Sequence, residues 1–345
     1  MSLNILDCEL EYIDLPHLYQ IYYGFFLLEK KGFIKLNLIK KNSNIPLAKL
    51  KLTLPNGKQY LVIYDTLDGL NWLDGTLQDN LKYFSSLKYD FYFKRSYTKE
   101  LLKFVPKKSH LLPLGLFYRI NPTVFDSTNP TNLIRFILNK YKYRRIPNSK
   151  IFEDLPQISS NPKILFMTRL WNPNQITNNN SLQDKIKKIN EMRINSIVLC
   201  KQEFGDIFFG GLQDNTYTQQ VAQELVIPKK DTKRKNYLNL IKKHEICIAT
   251  TGLHNSIGGK IAEYVSASRA IVSEPLHYDL PGNFQNNKNY LEFTDNISLL
   301  KNLNFLLKNS SKRYQLMIEN YHYYNSFLRD EQMVLNTIFE IIKND

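Results

Sequence analysis

The segment TTGLHNSIGGKIAEYVSASRAIVSEP, from Thr250 to Pro275, carries the clearest fold signal in the chain. It follows the apolar run EICIA (245–249) and contains a second apolar run, AIVS (270–273), so its pattern predicts a strand, a loop, a helix and a strand. That order is one βαβ unit, the building block of a parallel sheet.

The start of the predicted helix carries residues that oppose helix formation. Gly258 and Gly259 each cost about 1 kcal/mol relative to alanine in a helix, and Lys260 places a cation where the helix dipole is already positive. A bound anion would reconcile these features, because exposed N–H groups and a lysine at a helix N-terminus form a phosphate site. The alternative is tight helix–strand packing at the glycines, with Lys260 paired with Glu263 three residues on.

The residues KIAEYVSASRAIVSEPL (260–276) resemble the nucleotide-sugar-binding segment of glycosyltransferases with the GT-B fold. The later pieces Leu280-Pro281-Gly282 and Asn289-Tyr290-Leu291-Glu292-Phe293 are similar to the Pro-Gly loop and the strand of bacterial members, and the resemblance covers roughly 164–293. It implies that Glu263 accepts hydrogen bonds from a donor ribose and that the preceding loop holds the donor diphosphate. Many retaining members carry a second glutamate where Asn255 stands here.

The predicted donor site combines this segment with an arginine after the strand KILFMT (163–168). An arginine at this place often contacts the donor diphosphate in GT-B enzymes, so the resemblance assigns that role to Arg169. The second charge could come from Arg193, Lys201 or Lys260. The predicted donor-binding residues are Arg169, Thr250, Thr251, Gly252, Ser256, Ile257, Gly258, Gly259, Lys260 and Glu263.

Length and composition indicate two globular domains. A chain of 345 residues suits two cores of ordinary size, and 43% hydrophobic with 23% charged residues is typical of folded proteins. The net charge of +14 favours phosphate-rich partners, namely nucleic acid, anionic lipid headgroups or charged glycan acceptors. The lysines form no dense basic arm, which disfavours nucleic acid, and a general bias towards lysine and asparagine is the other explanation.

Cysteines and hydropathy predict a cytoplasmic protein. Cys8, Cys200 and Cys247 are odd in number and far apart, so neither a disulfide framework nor a metal site is indicated. The N-terminal residues are acidic where a signal peptide is basic, and no run approaches the ~20 apolar residues that cross a bilayer. We expect at most a peripheral contact with an anionic membrane at its inner face.

The first half shows its own α/β pattern. IYYGFFLLEKKGFIKLNLIKK predicts a segment that ends near Gly32 and is followed by a strand, and KLTLPNGKQYLVIYD predicts a hairpin across Pro55-Asn56-Gly57. The second hairpin strand leads into Asp65 and Asp68. Acids at the carboxyl edge of a buried strand lie where open α/β sheets bind ligands, although a turn or helix cap explains them as well.

Two further predicted strands bring other polar residues to this region. DFYFKRSY delivers Lys94 and Arg95, and HLLPLGLFY brings His110. An inverting transferase needs a base for the acceptor hydroxyl, and the candidates are Asp65, Asp68 and His110. The residues predicted to line the acceptor cleft are Gly24, Lys94 and Arg95.

The domain prediction follows from these elements and from the Pro- and Ser-rich stretch 144–163. It places a Rossmann-like acceptor-binding domain at 1–150, a linker at 151–162 and a Rossmann-like nucleotide-sugar-binding domain at 163–325. In that domain SIVLCK (196–201) is predicted as a strand, and KRKNYLNLIKKH (233–244) as a helix. The resemblance implies that the last helix, 326–345, packs back on the first domain.

The predicted fold class is α/β with two facing Rossmann-like domains, the GT-B architecture, and a helical C-terminal tail. The predicted function is glycosyl transfer from a nucleotide-diphosphate sugar to a glycan, lipid-linked or protein acceptor, in polysaccharide or glycoconjugate synthesis. Lys260 and Arg169 would stabilise the leaving diphosphate without a metal, and no cofactor or nucleic acid is expected. The alternatives are a nucleotide-sugar epimerase of the same architecture and a non-catalytic sugar- or nucleotide-binding module.

Overall fold

The computed structural model describes residues 5–120, 149–177 and 179–345. Contacts divide the chain into two units. Unit 1 comprises Met1–Lys150, Tyr278–Asn283 and Asn325–Asp345, and unit 2 comprises Ile151–His277 and Phe284–Tyr324. Each unit has a β-sheet of its own, so the predicted α/β class with two open sheets is confirmed.

The described helices are distributed over both units. They are α1 (Tyr19–Lys30), α2 (Leu77–Ser86), α3 (Asn180–Phe204), α4 (Thr216–Val221), α5 (Arg234–Lys243), α6 (Gly259–Ser266), α7 (Asn296–Lys308), α8 (Ser310–Tyr323) and α9 (Asp330–Lys343). The last three make the C-terminal region helical, as the sequence predicts.

Unit 1 contains a mixed six-stranded sheet. Its strands are β1 (Leu6–Tyr12), β2 (Ile34–Lys40), β3 (Leu47–Thr53), β4 (Gln59–Asp65), β5 (Phe91–Lys94) and β6 (His110–Pro113). They lie in the order β2-β1-β3-β4-β5-β6. Only β3 is antiparallel to its neighbours among these strands, so β1, β4, β5 and β6 present their carboxyl ends at one edge.

The predicted hairpin in unit 1 is confirmed. β3 and β4 pair in antiparallel register, and the Leu54 N–H donates to the Lys58 carbonyl oxygen at 2.8 Å across the turn. Gly57 has a φ of 86°, which is unfavourable for residues with a Cβ. The predicted stop near Gly32 is also present, since α1 ends at Lys30 and β2 begins at Ile34.

Gly24 lies in a helix–helix contact inside unit 1. A Cβ atom at this position would overlap the Asp330 carbonyl oxygen and the Val334 side chain of α9. Close approach of α1 and α9 therefore requires glycine here. This packing role replaces the predicted one of lining the acceptor cleft.

Unit 2 contains a parallel five-stranded sheet. Its strands are β7 (Ile164–Thr168), β8 (Phe208–Leu212), β9 (Ile246–Ala249), β10 (Ala270–Ser273) and β11 (Tyr290–Glu292). Their order is β11-β10-β9-β7-β8, and every pair among them is parallel. All residues of β7, β9 and β10 are buried, as continuous apolar runs in a covered parallel sheet should be.

The apolar run SIVLCK was expected as a strand and is instead part of α3. Ile197, Cys200 and Phe204 follow helical spacing and pack into the core of unit 2, so the run is one apolar face of a long helix. The strand of this region is β8, formed by the next apolar stretch, FFGGL (208–212).

The segment 151–162, predicted as a linker, belongs to unit 2. Asp154 pairs with Arg269 at 3.2 Å. Glu245 accepts hydrogen bonds from the Ser159 N–H at 2.8 Å and from Arg313 Nε at 2.7 Å. Arg269, Arg313 and Glu245 are buried, so charged groups hold this segment against the sheet.

The three cysteines are free and buried. Burial raises the pKa of the Cys8, Cys200 and Cys247 thiols to about 12. Among the described residues, no helix combines the length and apolarity that spanning a bilayer requires.

Candidate functional site

The order of the strands in the unit 2 sheet indicates the edge at which a ligand would bind. β8 lies on one side of β7 and β9 on the other, so the strand order reverses between β7 and β9. Open α/β sheets bind ligands at the carboxyl ends of the strands at such a reversal. The loops at this place begin with Arg169 after β7 and Thr250 after β9.

The loop after β9 folds back on itself before α6 begins. His254 and Asn255 adopt left-handed φ values of 57° and 56°, a region that Asn and His tolerate better than most residues. The Gly252 N–H donates to the Ser256 carbonyl oxygen at 2.9 Å. This closed turn brings Gly258 to the N-cap position of α6.

The N-terminus of α6 is open. Gly258 has no side chain with which to cap the helix, and a Cβ atom built there would meet only the Thr250 carbonyl oxygen, 3.8 Å away. The first N–H groups of an α-helix have no partner within the helix, and they form the positive end of its dipole. The space beside Gly258 leaves room at the tip that the sequence predicts as a phosphate site, while the Ile261 N–H already donates to the Gly258 carbonyl oxygen at 3.1 Å.

Lys260, in the first turn of α6, turns towards the sheet. Its Nζ donates a hydrogen bond to the Met167 carbonyl oxygen of β7. The pKa of Lys260 is lowered to about 7 by burial and by the positive charges of Arg193, Arg169 and Arg234, and Glu263 partly opposes the shift. The amine is thus held among cations at the carboxyl edge of the sheet.

Arg193 of α3 organises the loops around this amine. Its Nε donates to Thr250 Oγ1 at 3.1 Å, its Nη1 to the Arg169 carbonyl oxygen at 2.7 Å and its Nη2 to the Thr251 carbonyl oxygen at 3.1 Å. The guanidinium also lies 4.2 Å from the centre of the Trp171 ring. Arg193 is buried and ties both ligand-side loops to one helix.

Glu274, the residue directly after β10, secures the same loop. Its Oε2 accepts hydrogen bonds from the Thr251 N–H at 2.6 Å and from Thr251 Oγ1 at 3.0 Å. The carboxylate also opposes the lowering of the Arg193 pKa, which burial brings to about 10. The polar atoms of Thr251 are therefore committed to holding the loop in place.

Glu263 is nearly buried in α6 and pairs with Arg234 of α5. Arg234 Nη2 lies 2.6 Å from Glu263 Oε1. The ion pair considered from the sequence, between Lys260 and Glu263, is replaced by this contact and by the bond from Lys260 to Met167. Ser256 and Ile257 are buried in the turn before α6, and Gly259 is its first residue.

In unit 2 the charges of Arg169, Arg193 and Arg234 therefore act on the amine of Lys260, which lies in the first turn of α6. Arg169 is exposed beside the Trp171 ring, with its guanidinium 5.6 Å from the ring centre. Against these cations stand two carboxylates, Glu263 and Glu274. The excess of positive charge next to free helix N–H groups suits a ligand with two or more negative charges.

At the corresponding edge of unit 1, Asp65 is a buried structural carboxylate. Its Oδ2 accepts hydrogen bonds from Trp72 Nε1 at 2.7 Å, Tyr92 Oη at 2.6 Å and Lys94 Nζ at 2.9 Å. Its Oδ1 accepts one from the Leu67 N–H at 2.8 Å. Asp65 and Lys94 are fully buried, so the predicted roles of Asp65 as base and of Lys94 as cleft residue are corrected to one internal ion pair.

His110 lies at the amino end of its strand, on the side of the unit 1 sheet opposite to the carboxyl edge. It is the first residue of β6 and pairs with Phe91, the first residue of β5. Its ring stacks on that of Phe91 at 4.8 Å. The carboxyl edge is three residues further along, about 10 Å away, which removes His110 from the candidate bases.

Asp68, Arg95 and His17 lie at the carboxyl edge of unit 1. Asp68 is 39% exposed and pairs with Arg95 at 2.9 Å. The ring of His17, in the turn between β1 and α1, stacks on Phe117 at 5.4 Å. Partial burial and the charges of Arg95 and Arg119 lower the pKa of His17, and Asp68 partly opposes this.

Sequence reasoning missed His17, Arg234 and Glu274 as members of these sites. His17 was overlooked because β1, LDCELEY, alternates buried and exposed residues with charges among them and was not predicted as a strand. The period-two pattern was the available signal. Arg234 and Glu274 come from neighbouring elements, and their pairing with Glu263 and Thr251 depends on tertiary structure. In the described part of the chain, no group of three or more His, Cys, Asp or Glu residues is arranged to hold a metal ion.

No family model matches the chain, and no curated protein matches it in sequence. Solved structures are similar to it in fold. The UDP-GlcNAc 2-epimerase from Neisseria meningitidis bound to UDP-GlcNAc is 11% identical, with 96% of this chain and 98% of that chain covered and a TM-score of 0.45. MnaA from S. aureus in complex with UDP is 11% identical, with 97% and 96% covered and a TM-score of 0.44.

A glycosyltransferase from Rickettsia africae is 13% identical to the chain, with 98% of each chain covered and a TM-score of 0.42. At these identities the likeness concerns the fold alone. The matched proteins include both classes weighed from the sequence, a glycosyltransferase and a nucleotide-sugar epimerase.

Proposed function

We propose that the chain is a glycosyltransferase that binds a nucleoside-diphosphate sugar at the carboxyl edge of unit 2. One observation carries the proposal: Lys260 stands in the first turn of α6, Arg193 holds the loop before that helix, and Arg234 is paired with Glu263 within it. Burial, together with the charges of Arg193, Arg169 and Arg234, lowers the Lys260 pKa to about 7, and a bound diphosphate would relieve the repulsion among these cations.

The residues of the site divide the work of holding the donor. Arg169 and Lys260 meet the diphosphate together with the first N–H groups of α6. Arg193 holds the surrounding loops through Thr250, Thr251 and the Arg169 carbonyl group. Because its hydrogen bonds are used in this way, Arg193 supports the site by positioning and by its charge.

The chemistry of transfer fits such a site. Negative charge grows on the diphosphate as the bond to the sugar breaks, and fixed cations and helix N–H groups stabilise that growth. In this proposal they take the place of a metal ion, and Glu263 binds the ribose hydroxyls. An acceptor hydroxyl must also lose a proton to a general base, and Asp68 stays a predicted candidate for this role.

The charge of the protein bears on the acceptor. The net charge of +14 favours an acceptor that is anionic or carried on an anionic lipid. A glycan or lipid-linked acceptor in cell-surface polysaccharide synthesis meets this condition, with the protein on the cytoplasmic face of the membrane.

A thermal-shift screen tests donor binding. UDP, GDP, ADP and dTDP, and sugars linked to them, are added to the full chain, and the shift in Tm is compared with that given by the corresponding nucleosides. A diphosphate at about a hundred times its Kd should add about 2.7 kcal/mol of stability. Equal shifts with nucleosides and diphosphates, or none with either, would overturn the proposal.

A second measurement separates transfer from epimerisation. The donor that stabilises the protein most is incubated with it alone and with a mixture of glycan and lipid-linked acceptors, and the products are separated chromatographically. We expect release of the nucleoside diphosphate that depends on the acceptor. Conversion of the donor sugar to its epimer in the absence of any acceptor would establish the alternative activity.

A further inference from the structure

The contact between Arg234 and Glu263 joins two helices at the candidate donor site. Arg234 is the first residue of α5, and Glu263 lies in the body of α6. Their atoms Nη2 and Oε1 are 2.6 Å apart, and the side chains are 27% and 8% exposed, respectively. A carboxylate this buried needs a cationic or hydrogen-bonding partner to keep its charge at acceptable cost.

The guanidinium of Arg234 is itself held in place. Its Cζ lies 5.0 Å from the centre of the Phe152 ring and 5.7 Å from that of Tyr237. Tyr237 is buried one turn further along α5. An arginine packed against two aromatic rings has few orientations to choose from, so the carboxylate that it binds is fixed as well.

The local sequence gives no reason for a cation at this position. Arg234 stands in the first turn of α5, where the helix dipole disfavours positive charge, next to Lys233 and Lys235. The bond to Glu263 offsets that cost. In the described part of the chain this bond uses Oε1 of Glu263, which leaves Oε2 to accept hydrogen bonds from a ligand.

We propose that Arg234 is the positioning residue for ribose recognition: it fixes the Glu263 carboxylate so that the free oxygen meets the ribose hydroxyls of the donor. This inference rests on the proposed function. Arg234 acts through Glu263, and its loss should erase the preference for ribose more than it weakens binding of the diphosphate.

The test measures a ratio of affinities. Kd is determined by calorimetry for UDP, GDP and ADP and for the 2′,3′-dideoxy form of each, with the full-length wild type and three variants. The variants are Arg234→Met, Arg234→Lys and Lys235→Met. Lys235 is exposed in the same turn, so Lys235→Met removes an equal charge without touching Glu263.

We expect the wild type to prefer the ribonucleotide at least ~10-fold, because hydrogen bonds to a charged group contribute about 1.5–3 kcal/mol. Arg234→Met should reduce the preference below ~3-fold, Arg234→Lys should restore part of it and Lys235→Met should leave it unchanged. Loss of nearby charge alone weakens both forms equally and does not move the ratio.

A double variant guards against misfolding. Arg234→Met leaves a buried carboxylate unpaired, whereas Arg234→Met with Glu263→Gln removes both charges together and is better tolerated. With Glu263→Gln already present, the further change at Arg234 should leave the ratio unaltered within ~2-fold.

The outcomes that contradict the inference differ from those that contradict the proposed function. An undiminished ribose preference in Arg234→Met, or a further fall in the ratio when Arg234 is changed on top of Glu263→Gln, overturns the role of Arg234. A wild type that binds UDP without preferring ribose also overturns it, while nucleotide binding stands. A wild type that binds no nucleoside diphosphate contradicts both the inference about Arg234 and the proposed function.

Discussion

Lys260 shows how a side chain that looks misplaced in sequence can become intelligible from its neighbours. A lysine in the first turn of a helix opposes the dipole, and its bond to the Met167 carbonyl group removes it from the helix surface. Burial and the charges of three arginines then lower its pKa to about 7. Near neutral pH the amine is thus poised between its charged and neutral forms.

Binding of a diphosphate should therefore take up a proton at Lys260. The free amine is mostly neutral at pH 8, and an adjacent anion favours the charged form. The complex then holds more protons than the free protein, so affinity falls as pH rises above about 7. Calorimetry of UDP binding at pH 8, in two buffers of different ionisation enthalpy, measures this uptake.

We expect an uptake between about 0.5 and 1 proton for the wild type, and close to zero for Lys260→Met. Lys230→Met, a change at an exposed lysine of the same unit, serves as the control and should behave as the wild type does. A Lys260→Met variant that binds with the wild-type proton uptake would show that another group titrates.

Among the helices, two glycines differ in the reason why a side chain is absent: one allows helix packing and the other leaves space for a ligand. Gly24 and Gly258 are both associated with helices, and both were predicted as site residues, Gly24 in the acceptor cleft and Gly258 at the donor diphosphate. The space around them differs: a Cβ atom at Gly24 overlaps α9, whereas one at Gly258 meets open space before the nearest atom at 3.8 Å. The sequence around Gly24 is aromatic, whereas Gly258 is followed by Gly259 and Lys260, and the tertiary contacts show which of the two glycines serves packing.

Substitution of these glycines by alanine should have opposite effects. Gly258→Ala fits its backbone, with a φ of −63°, and should change the free energy of unfolding by about 1 kcal/mol or less. Its methyl group enters the proposed phosphate space, so UDP affinity should fall about tenfold. Gly24→Ala should cost about 1–3 kcal/mol of stability by overpacking.

Urea denaturation and UDP titration of the two variants provide the measurements. In Gly24→Ala, affinity should be retained wherever the protein is folded. Tight UDP binding by Gly258→Ala would place the diphosphate away from the α6 tip.

The elements predicted best are those whose pattern is local. The hairpin at Gly57 and the strand–loop–helix–strand order of 245–273 follow from turn chemistry and apolar runs, and both are present. SIVLCK misled because an apolar run of that length suits a strand or one face of a helix equally. The long helix α3 prevailed since Ile197, Cys200 and Phe204 share that face.

At the scale of the whole molecule, each unit is built from segments that are distant in sequence. Tyr278–Asn283 and Asn325–Asp345 belong to unit 1 although they follow most of unit 2. The segment 278–283 carries no composition signal, and the return of the last helix, 326–345, to the first domain was implied by the family resemblance and not by composition or periodicity. Buried ion pairs such as Glu245–Arg313 are likewise invisible until the partners are brought together.

The net charge of +14 should make the protein bind anionic membranes. Each basic residue near such a surface contributes about 1 kcal/mol, and salt screens the attraction. We expect co-sedimentation with vesicles containing phosphatidylglycerol at ~50 mM salt and release at ~500 mM. Vesicles of phosphatidylcholine alone are the control and should leave the protein in the supernatant.

Binding that is equal for both vesicle types, or insensitive to salt, would contradict an electrostatic contact. If the protein binds neither vesicle type, the excess positive charge would serve the binding of soluble anionic ligands and not of membranes.

The burial of all three thiols has a practical consequence for spectroscopy. Thiolates are the reactive form of cysteine, and a pKa of about 12 leaves almost none at neutral pH. A single cysteine engineered on the surface of either unit would therefore react with maleimide dyes far faster than the native ones. The natural sequence already serves as the background for fluorescent labelling, with no need to remove Cys8, Cys200 or Cys247.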